Sequence, residues 1–321
     1  SETLNKAGEY GPEIARINGK TQLKVGPYAA IIPDNFAEGM EQRNDPNWLA
    51  GELDKHGIDM LGVTASPLFY LYWAPERIAL PFCELQNDCM AKFVKKRPDR
   101  FFWMSTLPMQ NVDAAIAEAK RTAALGASGV NIGGEKLGGR NLDDKAFWPL
   151  YQTLVDLNLA IFIHPYPHPM AEGYEDRYNM SWITGYPGQE TTAFAYLTLG
   201  GVFDDFPKLR VYITHGGGFV PYQFGRIEGA FKTKAPGLRA KKPIAEYLPN
   251  FYFDILTHDN RATKFLVDFV GADQLVIGSN YSGWNWSNEF VHLEELKLPQ
   301  SDQEKIAYKN ATRLFNLKVP A

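Results

Sequence analysis

From about residue 48 to the end of the chain, short apolar runs alternate with longer amphipathic stretches. The runs are Met60–Ser66, Phe101–Leu107, Ser128–Gly133, Leu159–Pro165, Leu209–Gly216, Asn250–Leu256 and Leu275–Tyr281. Most are nearly continuous in apolar residues, as expected of strands buried on both faces of a parallel sheet. The intervening stretches predict helices. One is opened by Asp45-Pro46 and stopped at Gly57, one spans Val112–Leu125, and one runs from Asp143-Asp144 to Asn158. Others cover Glu76–Lys96, Glu190–Phe203, Val220–Phe231, Asn260–Val270 and Asp302–Phe315. Strand and helix in strict turn imply a parallel α/β architecture.

Seven such strands are countable, and a closed barrel has eight. Residues 1–44 hold only TQLKV and YAAII, which predict a small hairpin joined at Gly26-Pro27 rather than a strand–helix unit. The expectation is a (β/α)8 TIM-type barrel whose first strand is missing or lies upstream of residue 1. No solenoid repeat, low-complexity tract or linker divides the 321 residues, so one domain over 1–321, with 1–44 as an N-terminal extension, is expected.

The net charge is −4, and lysine and arginine are scattered rather than gathered in a stripe, which argues against a nucleic-acid partner. The longest apolar runs, such as Leu159–Ile163, are far short of the roughly 20 residues of a membrane span. The opening residues lack the apolar core of a secretory signal. Cys83 and Cys89 alone exclude a disulfide framework, so a cytoplasmic setting is expected.

In a barrel of parallel strands the active site lies where the C-terminal strand ends meet the following loops. Four runs end in polar residues: His164-Pro165-Tyr166, His215-Gly216-Gly217-Gly218, His258-Asp259 and Asn280-Tyr281. A single histidine after a strand is ordinarily a hydrogen-bonded structural residue. His164 and His215 at two strand ends, the second followed by three glycines that allow close backbone approach, together mark a functional site. His168 reads as a loop residue lining the pocket, and His56 and His292 as solvent-facing. The glycine run lacks both the lysine and hydroxyl residue of a phosphate loop and the spacing of a dinucleotide fingerprint. Gly133-Gly134 and Gly138-Gly139, flanking Glu135-Lys136, read as another loop of the rim.

HPY at 164–166, THGGGFVPYQFGRIEGA from Thr214 and VGADQLVIGSNYSGWNW from Val270 resemble the amidohydrolase-related family typified by aminocarboxymuconate-semialdehyde decarboxylase. DPNWLAGELDKHGIDM, TLPMQNVDAAIAEAKR and the terminal KIAYKNATRLFNL extend the likeness over nearly the whole chain. The resemblance implies a (β/α)8 barrel that is often dimeric and carries zinc or manganese. It implies that His164 is a metal ligand and that His215 moves a proton. It puts Asn280 where a metal-binding aspartate is usual, and makes Arg226 an arginine that in some relatives reaches a neighbouring subunit's substrate carboxylate.

Three departures accompany it. No residue before His56 can supply the His-x-His pair of the family's first strand. Asn280 stands in place of aspartate. Leu49 occupies the position of a carboxylate-binding arginine, with Arg43 nearby. One imidazole cannot hold a dication that commonly takes three protein ligands, so either an upstream segment restores the pair or the chain binds no catalytic metal.

The leading expectation is a metal-dependent decarboxylase of a small aromatic or unsaturated carboxylic acid. Aromatic residues at the rim, Phe69, Tyr166, Trp182 and Trp284 among them, would suit such a flat substrate, although loop packing accounts equally well for any one of them. A hydrolase of an amide, ester or C–C bond on the same scaffold, and a metal-free binding protein that has lost the chemistry, are the alternatives.

Overall fold

The computed structural model describes residues 11–17, 19–32, 34, 40–167, 177–280 and 289–318. The chain forms two compact units, Ser1–Asn131 and Ile132–Ala321.

The first unit opens with an antiparallel sheet of β1 (Pro12–Ile17), β2 (Lys20–Val25) and β3 (Tyr28–Ile31). The expected hairpin is therefore the second half of a three-stranded sheet. Ile17 pairs with Lys20, and Val25 pairs with Tyr28 across Gly26-Pro27; the sequence between the first pair, Asn-Gly, is the strongest short hairpin signal. Leu23 and Val25 are buried in one cluster with Leu68, Leu71, Ala79 and Phe82, so this sheet has a core of its own to face.

Helix α1 (Pro46–Asp54) starts as its sequence dictates: the Asp45 side chain accepts from the Asn47 amide, and Pro46 takes the first helical position. Strands β4 (Leu61–Val63), β5 (Phe101–Thr106) and β6 (Gly129–Ile132) follow, β5 running parallel to both of the others. Between them lie α2 (Glu76–Lys96) and α3 (Val112–Ala124), the latter capped by Asn111. A buried polar knot ties α2, α3 and β5 together. The Asn87 amide donates to the Thr106 carbonyl and to Glu118 Oε1, and Thr106 N–H donates back to Asn87. Arg121 bridges Glu118 and Asp88.

The second unit contains α4 (Trp148–Asp156), β7 (Ala160–Ile163), α5 (Tyr186–Leu199), β8 (Val211–Ile213), α6 (Val220–Lys232), β9 (Phe251–Asp254), α7 (Asn260–Val270) and β10 (Leu275–Val276). Strands β7 to β10 are parallel and hydrogen-bonded in sequence order. The His164 amide also donates to the carbonyl of Ile132, the last residue of β6. Helix α5 buries Gln189, Glu190, Ala193, Phe194, Leu197 and Thr198, pairs of residues one helical turn apart, and Phe194 packs on Phe251 at 4.5 Å.

The seven expected parallel strands are all present among the described residues. Their boundaries and those of the helices shift for physical reasons. Helix α5 starts earlier than expected and stops at Gly200-Gly201, where the backbone turns left-handed (φ 71° at Gly201). Strand β10 is two residues long, because its partner β9 ends at Asp254, whose carboxylate turns aside to accept the Gly216 and Leu256 amides. The segment expected as one helix over Asp302–Phe315 starts at Gln300, after Pro299, and passes through a widened turn at Lys305–Lys309 before ending as Asn310–Phe315.

Candidate active site

His164 and His215 leave adjacent strands of the second unit, β7 and β8, at their C-terminal ends. Their rings meet edge to face with centroids 5.3 Å apart, although 51 positions separate them along the chain. The His164 Nδ1–H donates to the Pro165 carbonyl at 2.7 Å, which leaves Nε2 with the lone pair. Burial, reinforced by the neighbouring His215, lowers the His164 pKa to about 3, so this ring is neutral.

The second ring is held in the opposite state. His215 Nδ1 donates to Glu190 Oε1 at 2.6 Å, and the Thr214 hydroxyl donates to the same oxygen. Burial alone would lower the His215 pKa. The Glu190 carboxylate and its hydrogen bond outweigh burial and raise it to about 9. Burial also raises the Glu190 carboxyl, so both directions agree that the pair keeps a proton through neutral pH. Glu190 is fully buried on α5, and its second oxygen has no hydrogen-bond partner among the described residues.

The backbone that presents His215 is unusual. His215, Gly216, Gly217 and Gly218 have φ of 50°, 65°, 79° and 63°. Gly218 also has ψ −124°, a region that only glycine occupies comfortably, and a Cβ there would stand 2.3 Å from the Pro187 carbonyl oxygen. The three glycines are thus demanded by geometry as well as by access. Asp254 supports the turn from below: it accepts from the Gly216 amide at 2.9 Å and from the Tyr212 hydroxyl at 2.9 Å. Burial and then Asp254 push the Tyr212 phenol well up, so it remains a donor.

The other sequence-derived residues fall in several places. Tyr166 is buried, its hydroxyl donating to the Glu135 carbonyl and its backbone clasped by the Gln189 side chain at 3.1 and 2.7 Å. Trp182 is 44% exposed, with its ring 6.0 Å from that of His258. Asn280 lies four residues past β10 with φ 49°, and among the described residues neither imidazole is hydrogen-bonded to it. Arg226 lines an open groove of about 590 Å³ between α5 and α6, with Thr191, Phe219 and Gln223, and neither histidine borders that groove. Phe69 belongs to the first unit, where it packs edge-on against Phe82. Trp284 and His168 lie outside the described residues.

Sequence reasoning missed Glu190 and Asp254. Asp254 was detectable, since it is the single charge in the apolar run NFYFDIL. Glu190 had a fainter signal, a carboxylate on the face of α5 that otherwise carries apolar and uncharged polar residues.

The sequence profile described as amidohydrolase matches residues 39–317, and the chain belongs to that family. It is 34% identical over 240 residues to a 2-amino-3-carboxymuconate-6-semialdehyde decarboxylase of Dictyostelium discoideum, spanning 74% of this chain and 66% of that relative. It is 28% identical over 281 residues to a gamma-resorcylate decarboxylase of Polaromonas sp., spanning 83% and 85%. Among solved structures it is similar to a 5-carboxyvanillate decarboxylase of Novosphingobium aromaticivorans with bound manganese and 3-methoxy-4-hydroxy-5-nitrobenzoic acid. That likeness has a TM-score of 0.75 and 25% identity, and it covers 84% of this chain and 80% of that one. The fold is α/β of the TIM-barrel type and the protein is an enzyme; the relatives named above are decarboxylases.

Proposed function

We propose that the chain is a carbon–carbon lyase that removes carbon dioxide from a small aromatic or unsaturated carboxylic acid, with His215 as its proton donor. The observation that carries this reading is the hydrogen-bonded pair of half-buried His215 and fully buried Glu190, 2.6 Å long, beside the neutral imidazole of His164. Because Nδ1 is engaged by Glu190, Nε2–H is the donor left for substrate. It delivers a proton to the carbon that bears the carboxylate. The C–C bond to the carboxylate then breaks, its electron pair returns to the unsaturated system and carbon dioxide leaves. Glu190 offsets the cost of an imidazolium in a partly buried setting, and it fixes the ring that must aim the proton.

The manganese of the neighbour structure supports a divalent cation as cofactor, manganese or, by the family resemblance, zinc. His164 suits one ligand position: it is neutral, and its Nδ1–H is anchored to a backbone carbonyl, the usual support for a metal-binding imidazole. Among the described residues no group of three ligating side chains accompanies it, so the metal site is not complete in them and the steps above use side chains alone.

The remaining assignments belong to the same proposal: Asn280 as a catalytic residue, and Phe69, Tyr166, Trp182, Arg226 and Trp284 as substrate-binding residues, Tyr166 through its ring because its hydroxyl is engaged by the Glu135 carbonyl. Arg226 would act across a homodimer, which sedimentation would test. The family profile runs through residues 39–317 without a break, which supports a single domain. No described helix is long and apolar enough to cross a membrane, and a cytoplasmic setting is part of the same proposal.

The test is carbon dioxide release from a panel of hydroxybenzoates and muconate-type acids, with manganese or zinc added. Release that depends on His215 supports the reading. No release from any acid with either metal defeats it.

A further inference from the structure

Asp254 ends β9 inside the protein, and among the described residues its carboxylate takes three hydrogen bonds and no cationic partner. Oδ1 accepts from the Gly216 amide at 2.9 Å and the Leu256 amide at 3.1 Å, and Oδ2 accepts from the Tyr212 hydroxyl at 2.9 Å. It therefore joins β8, β9 and the peptide that follows His215. Room for it is made from the far side: a Cβ on Gly278 would lie 2.7 Å from Oδ2 and 2.8 Å from the Asp254 Cβ. Gly278 has no positive φ, so its lack of a side chain serves this space and not a turn.

The turn that begins at His215 has four successive residues in left-handed backbone. Each non-glycine residue in that region costs on the order of 1 kcal/mol, and such a conformation persists only where surrounding contacts enforce it. The Glu190 bond acts on the ring. A separate contact has to hold the peptide, and the Asp254–Gly216 bond is placed to do so.

We propose that Asp254 is a positioning residue for His215: by gripping the Gly216 amide it holds the left-handed turn that brings the imidazole to Glu190. This rests on the reading of His215 as proton donor only for its catalytic consequence. The geometric claim stands on its own and is tested without substrate.

The measurement is the ring N–H resonance of His215 in the full chain by NMR, assigned among the six histidines with His215→Asn. The wild type is expected to show a protected, low-field Nδ1–H from the bond to Glu190. In Asp254→Ala that resonance is lost, while Asp254→Asn, whose amide oxygen still accepts from Gly216, retains it. Near-UV circular dichroism confirms folding. If Asp254→Ala does not fold, Gly278→Ala carries the decision, since its methyl group displaces the carboxylate without altering Glu190 or His215, and the same loss is expected. On an acid that the wild type decarboxylates, kcat falls on the order of 100-fold in the variant that loses the resonance, with KM changed less than about twofold. A folded variant with the carboxylate removed or displaced and an intact His215 resonance overturns the proposal. An intact wild-type resonance with no decarboxylation of any acid overturns the functional reading and leaves this one standing.

Discussion

His215 Nδ1 lies 2.6 Å from Glu190 Oε1, and this contact between a strand-end imidazole and a helix carboxylate sets the protonation state of the site. In water an imidazole releases its proton near pH 6.5. Here it keeps the proton to about pH 9.

Replacing the ring tests the donor directly. His215→Asn suits the left-handed backbone at φ 50°, which asparagine tolerates, and removes the acid. Carbon dioxide release is expected to fall by about 10²–10⁴-fold, with an unchanged far-UV circular dichroism spectrum.

Glu190→Gln keeps an oxygen for the Nδ1–H and removes the charge. With the charge gone, burial dominates and the His215 pKa falls below its ordinary value. The protonated form is then lost at lower pH, so the alkaline limb of kcat/KM against pH moves to acid by two units or more. A profile that superimposes on the wild type's would contradict the assignment. The same shift has a stability consequence. A pKa raised to about 9 in the folded state adds stability that is full below about pH 6.5 and is lost as pH rises through about 9. Unfolding free energies from denaturant titrations at pH 6 to 10 should decline across that window, by on the order of 3 kcal/mol, and the decline should be absent in Glu190→Gln.

Two glycines with positive φ differ in how much a side chain would disturb them, Gly218 combining crowding with its own ψ of −124°. Gly218 (φ 63°) has the Pro187 carbonyl oxygen 2.3 Å from where a Cβ would sit, whereas Gly237 (φ 81°) has nothing within 4 Å. Gly237→Ala should cost about 1 kcal/mol in urea unfolding. Gly218→Ala should cost several times as much, on the order of 3–4 kcal/mol, and should displace His215.

The polar knot of the first unit predicts a stability effect away from the chemistry. Asn87→Ala removes the acceptor of the Thr106 amide in a buried setting, while Glu118 Oε1 keeps Arg121 and the Thr106 carbonyl keeps the Cys83 thiol. Roughly 1–3 kcal/mol of destabilisation is expected from the orphaned amide, read as a lowered Tm in calorimetry.

The strands and the two histidines were legible because each is written locally. An apolar run such as LAIFI has one stable environment, and His164 follows it directly. The His215–Glu190 pair was not legible, since the two residues are 25 apart and meet only because α5 lies against β8. The first strand, β1, was overlooked because PEIARI is short and interrupted by charges at Glu13 and Arg16, which break any apolar/polar alternation, although the Asn-Gly step after it was a usable signal. Tyr166 shows the converse: it reads as a substrate-facing aromatic residue, yet its hydroxyl is donated to a carbonyl of its own unit.

Gln189 and Glu190 are neighbours on α5, and each secures a different segment: Gln189 clasps the backbone of Tyr166 just past His164, and Glu190 takes the ring of His215. One peptide step of a single helix thus acts as the gauge between the two imidazoles. Sliding or tilting that helix would carry both rings along together, whereas fraying it would release both at once.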